Sequence, residues 1–598
     1  MAELFPGPLP SENQSQNRLD SWKEIAAYLH RDVTTVQRWE KREGMPVHRH
    51  LHDKRGSVYA LTSELDAWQL SRSPRLEEEE EEEEKRPEAE APIATKGDPK
   101  RGAIRWTRPA LALAGLAVLV LLAFAYLRLR SRPADTAQPK IKSLAVLPLK
   151  NLSGDPSQEY LADGMTEALI GRLSGIHDLR VVSRTSVMRF KDPQVSVPEI
   201  ARTLGVDAIV EGSVIREGDR IRVTAQLIRG ATDEHFWSVT YDRELRDALG
   251  LESELAQTIA EKVQVTVTGK ERERLTATRP VAPEVYESYL KARFAYNKGN
   301  SKADIEESIG HFESAINKDP TFAPAYLGLA TAFSRLSTVF IGVSPDETRP
   351  KIISATEKAL ELDPDLAEAH VLLADVQQKQ WHWADAEAEY RRALELNPND
   401  ADANAGLAFW LLSQGRTDEA LAWARRGREL DPLSVSGTNL GWFLFQSRRY
   451  DDAEHELRSV LAIDPDDTNA LWYLGFVLLA KNQPEAAIPL LEKALSISNR
   501  SPAVIGVLIR AYAHAGRRSD ALRLLAEMKR REKAGYIPGG AFVNAYLGLG
   551  ENDQAFVALE QAFKEHSNIL LYLKVHPYFD PIRADPRFAD LVHRVGLS

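Results

Sequence analysis

The sequence predicts a multidomain chain: a small helix-turn-helix domain with a hairpin wing, one membrane-spanning helix, an α/β layer domain and an all-α superhelical solenoid, in that order. Three observations carry this reading. The run from Ala110 to Leu127, ALALAGLAVLVLLAFAYL, has no charge; residues 141–250 alternate short apolar strands with amphipathic helices; and Pro320, Pro364, Pro398, Pro432 and Pro465 recur at intervals of 44, 34, 34 and 33. At 598 residues the chain far exceeds what one core organises. Its 43% hydrophobic and 27% charged residues are those of globular protein, and a net charge of -11 excludes a polycation that coats nucleic acid. With no cysteine, disulfides, thiolate zinc sites and cysteine nucleophiles are excluded.

The first domain, 18–72, reads as two short helices, SWKEIAAYLH and VTTVQRWEKRE, the second opened by Asp32 as N-cap. Ile25, Ala26 and Leu29 face inward with Val36 and Trp39, which leaves Thr34, Thr35, Gln37, Arg38, Lys41 and Arg42 on or beside the solvent side. Thr and Gln suit base edges, and Arg pairs bidentately with guanine or holds phosphate. Next, MPVHRHLHDKRGSVYALT alternates with period two about Asp53-Lys54-Arg55-Gly56, a hairpin with a basic tip that adds Arg49, Lys54 and Arg55 to the expected DNA contacts. A third helix, SELDAWQL, turns Leu65 and Trp68 inward. Residues 18–75 carry eleven Lys/Arg against eight Asp/Glu, a local net of +3. His48, His50 and His52 share one strand face, but no partner fixes a metal geometry and no metal site is assigned.

These residues, IAAYL, VQRWEKREGMPV and GSVYALTSELDAW, resemble the winged helix-turn-helix of the MerR and excisionase-like family over about fifty positions. The resemblance implies that the helix Val33–Glu43 enters the major groove while Lys54 and Arg55 lie on flanking phosphates. A homodimer is expected, because a lone small winged helix reads few base pairs.

An acidic disordered linker, 73–108, contains eight consecutive glutamates, Glu77 to Glu84. The transmembrane helix is placed at 109–128, with a second linker at 131–140. Flanking charge gives no orientation: Lys96, Lys100, Arg101, Arg105 and Arg108 precede the span, and Arg128, Arg130, Arg132, Lys140 and Lys142 follow it. The DNA-binding reading sets it instead, with the N-terminus cytoplasmic, the C-terminal domains periplasmic or extracytoplasmic, and the protein single-pass in a bacterial inner membrane.

In the α/β domain, 141–250, SLAVLPL and LRVVSR read as strands, EYLADGMTEALIGRLSGI and VPEIARTLG as helices, and DAIVEGSVIREGDRIRVTAQLIRG as two strands about Glu217-Gly218-Asp219. No phosphate-binding glycine loop follows the first strand. Asp155, Asp163 and Glu167 read as a solvated, dipole-favoured helix start and not as a carboxylate site. LAVLPLKNLSGDPSQEYLADGMTEALIGRLS and VDAIVEGSVIREGDRIRVTAQLI resemble a TolB-like N-terminal domain, which implies a non-catalytic module.

From 284 to 598 the period of 34 resembles the tetratricopeptide repeat (TPR). Ala386, Tyr390, Ala393 and Pro398 are matched one repeat later by Ala420, Ala424, Gly427 and Pro432, and DPIRADPRFADLVHRVGL reads as a terminal cap. The resemblance implies a concave groove that binds protein or peptide partners, packed mostly by its tryptophans with a few left as anchors. No cofactor and no enzymatic signature is expected. Two functions stay open: a membrane-anchored DNA-binding transcriptional regulator resembling ToxR/CadC-type proteins in plan, its outer domains sensing a partner, or a TPR scaffold of a membrane complex with the first domain as tether.

Overall fold

The computed structural model describes residues 18–19, 21–29, 31, 35–36, 39–40, 45–49, 58–62, 64–65 and 68 of the N-terminal part, and residues 140–597 except 192–194, 278, 299–300, 339–342 and 434. The chain divides into two units, Met1–Ser131 and Arg132–Ser598.

In the first unit, strand β1 (Arg18–Leu19), helix α1 (Trp22–Tyr28) and strands β2 (His48–Arg49) and β3 (Val58–Leu61) form an antiparallel sheet of order β1-β3-β2 with its helix. Ser21 caps α1 by accepting the Glu24 amide hydrogen. Register pairs His48 with Tyr59 and Arg49 with Val58, so the expected hairpin has its two arms, while its tip lies outside the described residues. Ile25, Ala26, Leu29, Val36, Met45, Val58, Ala60 and Leu65 are buried together, with Trp39 and Trp68 packed against them at 5.6 Å between rings.

The second unit begins with a sheet of order β6-β4-β7-β8-β9, with β5 pairing β7. Its strands are β4 (Ser143–Val146), β5 (Lys150–Asn151), β6 (Arg180–Val181), β7 (Ala208–Glu217), β8 (Arg220–Arg229) and β9 (Glu234–Glu244). β4 runs parallel to β6 and β7, and β7, β8 and β9 form an antiparallel meander. Burial on both faces explains why β4 reads as an unbroken apolar run and not as an alternation. Helices α2 (Glu159–Ser174), α3 (Val197–Leu204) and α4 (Ala248–Lys262) share the core with the sheet. α3 starts in a capping box of Ser196 and Glu199 and ends at Gly205 in the left-handed region. β9 and α4 both follow the last expected strand, which ends at Gly230, and the expected boundary at 250 falls inside α4.

From Pro283 the chain is a series of antiparallel helix pairs. They include Ala367–Lys379 with Trp383–Leu396, Ala401–Ser413 with Thr417–Leu430, Val435–Gln446 with Tyr450–Ile463, Thr468–Ala480 with Pro484–Ile497, Pro502–His514 with Arg518–Glu532, and Gly539–Leu549 with Asn552–Lys564. Each pair turns through a residue with positive φ, at Trp381, Gly415, Arg448, Asn482, Gly516 and Gly550, a register of 34, 33, 34, 34 and 34 residues. Close approach of helices needs the missing side chain at Gly406, where a Cβ would lie 2.3 Å from the Tyr390 ring. The long first proline interval contains the segment before Pro345, where a longer helix, Pro345–Leu362, begins.

The expectation of a single-pass inner-membrane protein, with a cytoplasmic N-terminus and extracytoplasmic C-terminal domains, is corrected. Among the described residues no helix is long and apolar enough to cross a membrane. The most apolar repeat helices, such as Thr468–Ala480 with 13 residues, fall short of the roughly 20 a span needs and bury their faces on neighbouring helices. The run at 109–128 that carried the expectation, the acidic linker 73–108 and the linker residues 131–139 lie outside the described residues.

Candidate protein-binding groove and nucleic-acid interface

Of the residues expected to meet DNA, Thr35 is half-buried in a helical stretch with Val36, and Arg49 lies on β2 opposite Val58. Thr34, Gln37, Arg38, Lys41, Arg42, Lys54 and Arg55 lie outside the described residues. His48 stacks on Tyr59 at 5.1 Å, and its Nε2 is 2.7 Å from a Glu64 carboxylate oxygen, an acidic partner 16 positions away that no local pattern marks. His50 and His52 are outside the described residues, among which there is no group of three His, Cys, Asp or Glu that could hold a metal.

The three carboxylates at the start of the α/β domain are structural. Asp155 accepts from the Ser157 amide and hydroxyl, Asp163 sits 2.7 Å from Lys191, and Glu167 pairs with Arg184 and Arg293. The domain is joined to the repeats through their inter-repeat turns. Asp431 accepts from the Ser183 and Ser186 hydroxyls, at 2.5 and 2.6 Å, and Arg180 donates to the Glu429 carbonyl at 2.7 Å.

Inside the array, the first helices of the pairs, the start of the helix Pro345–Leu362 and the segment after Glu565 line a partly open chamber of about 240 Å³. Its apolar wall includes Trp442, Trp472, Tyr473, Phe476 and Tyr572, and Trp442 stacks on Tyr473 at 4.5 Å. Asn469, Asn544, Arg349 and Lys379 add polar groups, and the buried Asn544 Oδ1 has no hydrogen-bond partner. An aromatic wall with a few fixed polar groups is the usual chemistry of a recognition site. Of the array's tryptophans, Trp442 and Trp472 line this chamber, while Trp410 is buried with its Nε1 donating to the Trp383 carbonyl at 2.9 Å.

The C-terminal segment does more than cover the last pair. It runs back through two short 3-10 helices, Asn568–Tyr572 and Pro577–Ile582, and the helix Pro586–Arg594. His576 is buried, and burial together with the nearby Arg510 and Arg583 holds its pKa well below the ordinary histidine value, so it packs as a neutral ring. Asp580 is held below the usual carboxylate range: burial works against its charge, but hydrogen bonds from Arg448 and Arg583 prevail. Nothing in the sequence period marked this return path, because aromatic and proline residues at 572–586 read equally well as a cap.

Comparison with known proteins assigns parts of the chain. Residues 382–435 and 478–534 match one tetratricopeptide repeat model, and residues 438–502 match another, so the helix pairs of this stretch are tetratricopeptide repeats. Residues 140–261 match the second domain of HilA/YgeH-like transcriptional regulators, and the expected TolB-like assignment is not supported. The chain is 33% identical over 253 residues to a putative adenylate cyclase 3 of Rhizobium meliloti (strain 1021), covering 41% of this chain and 43% of that protein. It is 29% identical over 149 residues to the type IV pilus assembly protein PilF of Pseudomonas aeruginosa, covering 25% of this chain and 46% of that protein. The chain thus spans under half the length of both relatives. Among solved structures, PilW, a widely conserved type IV pilus biogenesis factor, has a TM-score of 0.30 at 19% identity, over 36% of this chain and 94% of that one.

Proposed function

We propose that the chain is a DNA-binding transcriptional regulator whose tetratricopeptide array holds a protein or peptide partner. The observation that carries the proposal is the match of residues 140–261 to the second domain of HilA/YgeH-like regulators, in a chain whose residues 18–72 carry a small basic domain with winged helix-turn-helix pattern. In this reading Thr34, Thr35, Gln37 and Arg38 face base edges, while Lys41, Arg42, Arg49, Lys54 and Arg55 hold phosphates. The buried Ile25–Val36–Leu65 core and the β2–β3 arms support it, since they form the platform such a helix and wing require. In this reading the α/β domain serves as the connector to the repeats, held to them by the Ser183–Asp431 and Arg180–Glu429 contacts. The reading is tested by a gel shift with the full chain on genomic fragments: retention of specific fragments in salt supports it, and uniform weak retention of all fragments opposes it.

A second reading, a scaffold whose first domain is only a tether, is favoured by the similarity of the repeats to PilF. In that case no fragment is specifically retained while the array still engages its partner.

A further inference from the structure

We infer that the groove of the repeats is a recognition surface for an extended acidic and aromatic segment of a partner protein, and that the chain's own residues 565–597 occupy it as a displaceable internal ligand. The inference rests on the reading of the array as a partner-binding module, and is independent of DNA binding.

A terminal cap has to cover only the open face of the last helix pair. Here the segment reaches much further. Trp383 donates its Nε1 hydrogen to the Val595 carbonyl at 2.9 Å, and Arg349 donates to the Glu565 carbonyl at 3.0 Å. His566 stacks on Trp381 at 4.3 Å and donates from Nδ1 to the Lys379 carbonyl at 3.0 Å. Tyr572 meets Trp442, and Tyr578 meets Phe476, at ring separations of 5.6 and 4.8 Å. Arg448 holds Asp580 through both terminal nitrogens, at 2.7 and 2.8 Å. The segment therefore runs past the turns at Trp381 and Arg448 and along the first helices Val435–Gln446 and Thr468–Ala480, whose Trp442 and Phe476 also wall the chamber.

Two features point to displacement. The turn residues Trp381 and Arg448 hold positive φ, 65° and 60°, without being glycine, at positions where Gly415, Gly516 and Gly550 serve other pairs. Asn482 shares this conformation without touching the segment, whereas the Trp381 and Arg448 side chains both grip it, so at these two turns the strained residue is also the one that holds the segment. Arg510 is the second feature. Its guanidinium lies 3.6 Å from the Tyr578 ring centroid, yet its Nε and Nη1 have no acceptor although they are buried. A buried cation with unanswered donors is costly, so Tyr578 is an imperfect occupant of this position. A partner segment that keeps a carboxylate opposite Arg448, as Asp580 does, and adds one opposite Arg510 satisfies the Arg510 donors that the internal segment leaves open. This defines the partner chemistry: aromatic residues for the wall of Trp442, Trp472 and Phe476, and two acids near the sequence position of Tyr578 and Asp580.

The test uses the full chain, wild type and Asp580→Lys, and a fluorescent synthetic peptide copying residues 568–583. Because the competent groove is a minor population when the segment is docked, the peptide is expected to bind Asp580→Lys about tenfold tighter than wild type. A peptide carrying Tyr578→Glu is expected to bind the same variant about tenfold tighter again, with Arg510→Gln removing that second gain. Hydrogen exchange on wild type provides a check that needs no variant: amides of 568–582 should exchange through openings that leave Val435–Gln446 and Thr468–Ala480 protected. Equal peptide affinity for wild type and a folded Asp580→Lys, or exchange of 568–582 only together with those helices, makes the segment a fixed part of the core and overturns the inference. Failure of the array to bind any partner protein, with these results intact, would instead count against the partner-binding reading.

Discussion

Asn399 donates from Nδ2 to the Leu179 carbonyl at 2.7 Å, joining an inter-repeat turn to the α/β domain across 220 positions of sequence. The same amide nitrogen also lies 2.9 and 3.2 Å from the carbonyls of Ser174 and Ile176, and Asn397 Nδ2 donates to the Ser174 hydroxyl at 3.0 Å. One buried side chain thus answers carbonyls at and beyond the end of α2, and the domain and array meet through fixed hydrogen bonds and not through a linker. Asn399→Ala removes the side-chain donor from the Ser174 and Leu179 carbonyls, and is expected to cost about 1–3 kcal/mol. Denaturant melts of the full chain check this; a change below about 0.5 kcal/mol would mean that water replaces the amide.

Glu252 makes this unit pH-dependent. It is buried on α4 and accepts from Tyr286 of the helix Pro283–Lys298, with Arg172 at 3.9 Å. Burial pushes its pKa up to about 7 from 4.5, against the opposing pull of Arg172 and Tyr286. A carboxyl with a raised folded value stabilises the fold fully when protonated, and that stability is lost as pH rises from about 4.5 to about 7. The loss is about 3 kcal/mol. Glu252→Gln is expected to flatten the stability profile over this window and raise stability at neutral pH. An unchanged slope in that variant contradicts the assignment.

The turn at Asn482 offers a gain. Its φ of 58° suits glycine, and its side chain has no hydrogen bond among the described contacts. Asn482→Gly is expected to stabilise the array by about 0.5–1 kcal/mol. The opposite change at the helix contact, Gly406→Val, drives a side chain into Tyr390 and is expected to cost at least about 1–3 kcal/mol. Thermal melts compare the two, and a stable Gly406→Val would show that Tyr390 yields space.

The fold was legible where a period or a punctuating residue encoded it. Pro398 and Pro432 set the repeat register, Ala386 and Tyr390 set the helix contact, and Glu217-Gly218-Asp219 set the β7–β8 turn, because each obeys a local rule. β9 was missed because its burial is mixed and its residues, EHFWSVTYDRE, alternate poorly. The pairing of Arg448 with Asp580 was illegible for another reason: a contact over 132 positions leaves no local signature in either residue. The same holds for Asn399, whose place in the LNPND turn reads as ordinary turn chemistry.

On the DNA side, Arg38→Ala is expected to weaken binding to a specific site by about 1–3 kcal/mol and relax its sequence preference. Lys54→Ala and Arg55→Ala are expected to weaken all sequences alike and lower the salt dependence. Quantitative gel shifts on one specific and one random fragment separate these effects, and equal losses on both fragments for Arg38→Ala would remove it from the base-reading set.

Whether a sequence-reading domain and a partner-binding array share one chain is decided by footprinting the full-length protein on genomic DNA. Discrete protected sites are expected that persist at physiological salt and vanish with Arg38→Ala while the protein stays folded. A folded full-length chain that protects no site, or protects all DNA equally until salt releases it, would rule out sequence reading and leave the array as a scaffold.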